Sequence, residues 1–242
     1  MSTKPSIVFA HGLWADGSCF SKVAQLLQAD GYEVISTQNQ LNTVEDDAAA
    51  VRTSFNRASG PIVLVGHSYG GTVITVAGTD ERVKALVYIC ALAPDEGETS
   101  QAEQDKHPQT AVFNHLDVVD GRIWLKPSGT AEFCGDLPDA EQKLVFATQG
   151  APLADLFTQP VHGAAWKTKP TYYVLGTNDH TVHPELQRFV SSRMNAKVTE
   201  LASSHVPMLS QPQRVYEVIR EAAEAVQQSP VVREQPSPIP AE

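Results

Sequence analysis

Gly66-His67-Ser68-Tyr69-Gly70, followed by Gly71, sets a serine between glycines two positions to either side, a G-x-S-x-G pattern. Five-residue matches of this kind arise by chance, so the pattern carries weight through its context. The apolar run Pro-Ile-Val-Leu-Val before it reads as a buried strand, and a helix is predicted directly after Ser68. A tight turn between the two would lift the serine hydroxyl clear of a sheet in a strained backbone. The glycines leave out the Cβ atoms that would collide where the chain doubles back. The simpler reading is a glycine-rich turn with an exposed serine. With a strand on one side and a helix on the other, a nucleophile turn is the better one, with Ser68 attacking an acyl carbon.

A serine hydroxyl is a weak nucleophile until a base takes its proton, and a histidine is the usual base. Where such a turn opens a parallel sheet, an acid and then the histidine follow the serine along the chain. His205 meets that order, lying just after the late strand Lys-Val-Thr-Glu-Leu and before a final helix. His11 and His67 precede or adjoin the serine, and His107, His115 and His162 fall in an irregular stretch. His180 and His183 share the loop expected to carry the acid, where either could touch a substrate. Asp179 follows the strand Tyr-Tyr-Val-Leu-Gly and would hold the His205 ring in the tautomer that leaves its outer nitrogen free. A turn cap is the competing use for an aspartate beside Asn178. Asp95, after the strand that ends near Cys90, is the alternative acid.

Acyl transfer also needs donors for the oxyanion that develops on the carbonyl. The N–H groups of Leu13, in the turn His11-Gly12-Leu13-Trp14, and of Tyr69 are the candidates. Two fixed donors of this type are each worth about a hundredfold in rate. His11-Gly12 could equally serve only to permit a tight turn, and the two roles are compatible. Leu13, Trp14, Tyr69, Trp124, Phe133, Val206 and Met208 are the expected lining of a mostly apolar pocket, although ordinary packing accounts for the aromatics nearly as well.

These residues need a scaffold, and the hydrophobic pattern supplies one. Strands are predicted at residues 7–10, 32–37, 61–66, 83–91, 171–175 and 197–201. Helical spacing appears at 18–30, at 43–58 with Thr43 as its cap and Asp46 in the first turn, at 185–193 and at 213–227. Short, nearly continuous apolar strands alternating with amphipathic helices indicate an α/β fold with a parallel sheet covered on both faces. Residues 95–166 break the rhythm and are expected to lie over the sheet's carboxyl edge as a cap insertion. The core would then be 1–94 with 167–228, and the proline-rich residues 229–242 a mobile tail.

Composition narrows the partners. The chain has 242 residues, 42% of them hydrophobic, enough to bury a sizeable core. Its formal charge of -10 disfavours binding to a phosphate backbone, so nucleic acid is not an expected partner. Cys19, Cys90 and Cys134 are odd in number and widely spaced, which argues against a disulfide framework or a zinc site and for a reducing compartment. No run approaches the roughly 20 apolar residues of a membrane span, and the first residues lack the pattern of a secretory signal. A cytoplasmic protein with no metal or organic cofactor is expected.

The segments His11-Gly12-Leu13-Trp14, Gly66 to Gly71, Gly176-Thr177-Asn178-Asp179 and Ser204-His205-Val206-Pro207-Met208-Leu209 resemble the plant methylesterase and hydroxynitrile lyase group of α/β-hydrolases, in particular its bacterial esterase-like members. So does the run from Asp179 to Phe189. The resemblance spans nearly the whole chain up to the tail and is weakest in the insertion. It implies an α/β-hydrolase fold with a small helical cap, and a Ser68, Asp179, His205 triad. Lyases of that group carry a lysine directly after the catalytic histidine and a threonine just after the first turn's histidine. Here those places hold Val206 and Gly12-Leu13, and a buried Val206 cannot stabilise a departing anion. The resemblance therefore implies a carboxylic ester hydrolase acting on a small or medium uncharged ester. The alternatives are a lyase or cofactor-free oxygenase using His205 alone, and a ligand receptor that retains the triad but turns over slowly.

Overall fold

The structure, a computed structural model, describes residues 4–228; the tail expected at 229–242 lies outside the described residues. The chain opens with β1 (Ser6–Ala10), α1 (Ser21–Ala29), β2 (Val34–Ser36), α2 (Val44–Ser54), β3 (Ile62–His67), α3 (Gly70–Ala77) and β4 (Val83–Ile89). An insertion follows, with α4 (Ser100–Gln104), β5 (Leu116–Val119), β6 (Arg122–Leu125), α5 (Thr130–Cys134) and α6 (Asp139–Ala147). The chain then completes the core with β7 (Thr171–Gly176), α7 (Pro184–Arg193), β8 (Lys197–Leu201), α8 (Pro207–Ser210) and α9 (Pro212–Gln228).

Six strands form one sheet in the order β2-β1-β3-β4-β7-β8, with every neighbour parallel. β1, β3 and β7 are buried along their full length, as their unbroken apolar runs require of strands covered on both faces. α2 packs on α3 on one side, while α1 and α9 pack together and α9 crosses β3, β4 and β7. Thr43 caps α2, its hydroxyl accepting from the Asp46 N–H at 3.0 Å. No helix among the described residues is long and apolar enough to cross a membrane.

The strand order places the site. From β1 the chain crosses outward to β2, then returns past β1 to β3, so the winding reverses between β1 and β3. Crevices in open α/β sheets form at such a reversal, outside the carboxyl ends of the strands. The register pairs Ala10 with Gly66, which brings the turn at residues 11–14 beside Ser68. On the other side, Gly176 pairs with Leu201, which sets the loops after β7 and β8 side by side.

The insertion differs from its expected helical character in one respect: β5 and β6 form an antiparallel hairpin. Asp120 and Gly121 at its tip have φ of 50° and 74°, the left-handed pair that an Asp-Gly two-residue turn adopts. That dipeptide between two apolar runs is a legible hairpin signal that the helical reading passes over. An ion cluster ties the start of the insertion to α7. Arg193 lies 2.7 Å from Glu103 and 2.8 Å from Glu98, its guanidinium packed against Trp166 and Phe189.

Candidate active site

Ser68 sits between β3 and α3 with φ at 57°, a left-handed backbone that a non-glycine residue holds only when its surroundings enforce it. The enforcement is visible. The Ser68 N–H donates to the Ile89 carbonyl at 3.0 Å, and its own carbonyl accepts from Gly71 at 2.9 Å and Leu92 at 3.2 Å. Gly70 lies so close to the Ala10 carbonyl that a Cβ there could not be accommodated. A Cβ on Gly12 would come within 2.6 Å of Ser68 Cβ and 3.2 Å of its Oγ, so the β1 turn runs directly against the serine side chain. The opening N–H groups of α3, beginning near Tyr69, have no partner within the helix and lie next to Ser68.

Asp179 and His205 meet across the β7 and β8 loops, which are laced by bonds from Thr177 N–H to Leu201 O at 2.9 Å and Asn178 N–H to Ser203 O at 3.1 Å. His205 Nδ1 is 2.7 Å from Asp179 Oδ2, with both side chains fully buried. Asp179 Oδ1 accepts from the N–H groups of Thr181 (2.7 Å) and Val182 (3.0 Å), and Oδ2 also accepts from Gln187 Nε2 at 2.8 Å. Asp179 is thus both a turn cap and the histidine's partner. A carboxylate can only accept, so Nδ1 carries the proton and Nε2 presents a bare lone pair. Nε2 is buried and has no hydrogen-bond partner. Asp95 makes an ion pair with Lys167 instead.

Behind this pair lies His67, whose ring is 4.6 Å from that of His205. Its Nε2–H donates to the His205 carbonyl at 2.8 Å. Burial first, and the neighbouring His205 second, push its pKa well below the ordinary histidine range, so it remains neutral and serves as a prop. Motif reasoning treats His67 as a bystander; its contact is made across 138 positions of sequence and leaves no local signal. Gln187, which bonds Asp179 and the Val182 carbonyl from the first turn of α7, is also passed over, because a glutamine at a helix start has no distinctive sequence pattern. His11 fixes the first turn, with Nε2 accepting from Asn39 N–H and Nδ1–H donating to Gly12 O, each at 2.9 Å. His180 bonds Glu132 at 2.6 Å, and His183 caps α7.

Ser68 opens into a cavity of about 520 Å³ walled by Leu13, Trp14, Phe113, Ile123 and Phe157, with Asp105, His107 and His183 among its polar positions. Trp14 is fixed there by its indole N–H, which donates to the Ile123 carbonyl at 2.9 Å. Phe133 and Val206 instead line a second, apolar cavity of about 330 Å³. Phe133 still touches the site, its ring edge-on to His205 at 5.1 Å and to Trp14 at 6.0 Å. Trp124 is 38% exposed on the hairpin and lines neither cavity, and Met208 is wholly buried and lines neither. Tyr69 points its side chain away into the core, where its hydroxyl donates to the buried Asp47 at 3.0 Å.

Cys90, Asp179 and His205 bring three possible ligand atoms within 4.8 Å of one another, all buried. Burial, reinforced by Asp179, pushes the Cys90 thiol far up, which keeps it protonated and a poor metal ligand. Both Asp179 oxygens are already committed, so the cluster is a hydrogen-bond network and does not fit a metal centre.

Known proteins share this architecture. The chain is 26% identical to a pyrethroid hydrolase of Sphingobium wenxiniae, over 92% of this chain and 89% of that protein. It is 23% identical to Methylesterase 8 of Arabidopsis thaliana, over 87% and 86% of the two. The crystal structure of polyneuridine aldehyde esterase superposes with a TM-score of 0.79 at 18% identity, covering 90% of this chain and 99% of that one. A model of the alpha/beta hydrolase family matches residues 7–218, and the chain belongs to that family.

Proposed function

We propose that the protein is a serine hydrolase of carboxylic esters, with Ser68 as nucleophile, His205 as base and Asp179 as the group that orients it. The observation that carries this reading is the buried His205–Asp179 bond at 2.7 Å, which leaves Nε2 as a bare acceptor at the sheet edge where Ser68 is held in a strained turn. His205 Nε2 takes the Ser68 proton as Oγ attacks the ester carbonyl, and the oxyanion rests on the N–H groups of Leu13 and Tyr69. The tetrahedral intermediate collapses to an acyl-enzyme as the alcohol leaves with the proton from His205. Water, deprotonated by the same nitrogen, then releases the acid. No step calls for a metal or an organic cofactor.

The cavity has mainly apolar walls, which favours a small or medium uncharged ester. The names of the relatives, a pyrethroid hydrolase and a methylesterase, support an ester over an amide. The three buried cysteines, none in a disulfide, suit a reducing compartment, and we place the protein in the cytoplasm on that ground.

Hydrolysis of a short-chain p-nitrophenyl ester by wild type and by Ser68→Ala, with folding checked by circular dichroism, tests the reading. Turnover should disappear in the folded mutant. Equal turnover by both proteins would remove Ser68 from the mechanism.

A further inference from the structure

The backbone around His205 is gripped from two directions. From the sheet side, His67 donates to the His205 carbonyl, and Asn178 donates to the Ser203 carbonyl. From the insertion, Asp136 reaches Ser204, the residue directly before His205. Its Oδ2 accepts the Ser204 N–H at 3.0 Å, and its Oδ1 accepts the Ser204 hydroxyl. Asp136 lies two residues beyond the end of α5, and that segment makes two more contacts with the same machinery. Phe133 places its ring edge against the His205 ring at 5.1 Å, and Glu132 bonds His180, the neighbour of Asp179, at 2.6 Å. Three side chains within five residues therefore touch the base, the loop that carries it and the loop that carries the acid.

We propose that Asp136 is a positioning residue for the acid–base pair, fixing His205 through Ser204 so that the insertion sets the direction of Nε2 as well as roofing the cavity. The inference rests on the reading of His205 as base. Its physical ground is that a carboxylate accepting the backbone N–H and the hydroxyl of Ser204 fixes the Ser203–Ser204 peptide and the Ser204 side chain, one residue ahead of His205. Charge-assisted bonds of this kind are short and directional. Only small errors in aim are tolerated in proton transfer, where a misplacement of about 1 Å costs on the order of a hundredfold in rate. Asp136 is itself exposed, so its replacement leaves the core packing intact.

The test compares wild type with Asp136→Ala and Asp136→Asn in the full chain. It measures kcat and KM on a p-nitrophenyl ester, thermal melting, and the low-field proton resonance of the His205 Nδ1–H held by Asp179. Asp136→Ala should lower kcat by about tenfold or more with KM changed less than about threefold, and should broaden or shift that resonance. Asp136→Asn keeps a carbonyl oxygen that accepts one of the two Ser204 donors, so it should recover much of the loss. If Asp136→Ala fails to fold, Ser204→Ala removes the hydroxyl bond alone and should give a smaller kcat loss of the same kind. An unchanged kcat with an unchanged resonance would overturn the proposal, as would a loss confined to KM. The resonance requires no turnover. A chain whose Ser68→Ala variant remained active would refute the hydrolytic reading while the Asp136 effect on His205 could still be read.

Discussion

Replacing Asp179 by asparagine changes one atom and tests the whole logic of the pair. The oxygen that accepts from Thr181 and Val182 must remain an oxygen, because two backbone N–H groups point at it at 2.7 and 3.0 Å. The new amide nitrogen therefore takes the place of Oδ2. There it meets Gln187 Nε2, a donor at 2.8 Å, and His205 Nδ1 at 2.7 Å. Gln187 cannot turn to relieve the clash, since its Oε1 accepts from Gly176 N–H at 3.1 Å and its Nε2 also donates to the Val182 carbonyl at 2.8 Å. His205 can adapt only by moving its proton to Nε2, which then has no lone pair for the Ser68 hydroxyl. A base locked in the wrong tautomer costs about 10⁴-fold in kcat in the serine–histidine–aspartate mechanism, equivalent to roughly 5.5 kcal/mol of barrier at about 1.36 kcal/mol per tenfold. The donor–donor contact adds a stability cost of about 1–3 kcal/mol, the usual cost of leaving a buried donor unsatisfied. Single-turnover acylation with a p-nitrophenyl ester measures the first effect and urea melting the second. A folded Asp179→Asn protein that acylates within about tenfold of wild type would refute the assigned proton position.

Two further outcomes follow from buried groups beside the site. Tyr69→Phe removes one of the three donors on Asp47, leaving those of Gln40 at 2.7 Å and Leu41 at 3.1 Å. Urea melting should show a loss of about 1.5–3 kcal/mol, the range for a hydrogen bond to a charged group, and a loss below about 0.5 kcal/mol would show that Asp47 gains nothing from the phenol. Burial pushes the Glu103 carboxyl up to about 7 against the opposing pull of Arg193. Because the folded chain then holds this proton more tightly than the unfolded chain, its contribution is full below about pH 4.5 and is lost as pH rises through about 7. The melting-temperature difference between wild type and Glu103→Gln should therefore move against wild type from pH 5 to pH 8. A difference constant across that range would contradict the raised carboxyl.

The residues themselves determined the architecture to a large degree. The central strands β1, β3 and β7 are legible as short apolar runs, because a strand covered on both faces must be apolar, whereas the edge strand β8 (Lys-Val-Thr-Glu-Leu) is mostly exposed. The serine turn is legible because only glycine tolerates the close approach of Gly70 to Ala10. Chain order alone singled out Asp179 and His205, which the fold brings to 2.7 Å across 26 positions of sequence. Asp120-Gly121 belongs with these, since its left-handed turn follows from local chemistry.

The tertiary structure decided what local chemistry does not encode. Phe133 and Val206 face a second cavity, Trp124 lies half-exposed on a hairpin, and Met208 is sealed in the core, although all four have the side chains of a pocket wall. An apolar side chain has no directional partner, so its sequence neighbourhood cannot say which of several apolar spaces it will fill. The props of the acid–base pair were hidden for a related reason. His67 and Asp136 bond the loop after β8 across 138 and 68 residues of sequence, and Gln187 bonds Asp179 from within α7; a polar side chain in isolation looks the same whether it faces water or such a loop. The sequence points to the proposed reacting groups, because their chemistry demands particular residue types in a particular chain order. Their relative placement is set by packing between segments far apart in sequence, which exists only in the folded chain.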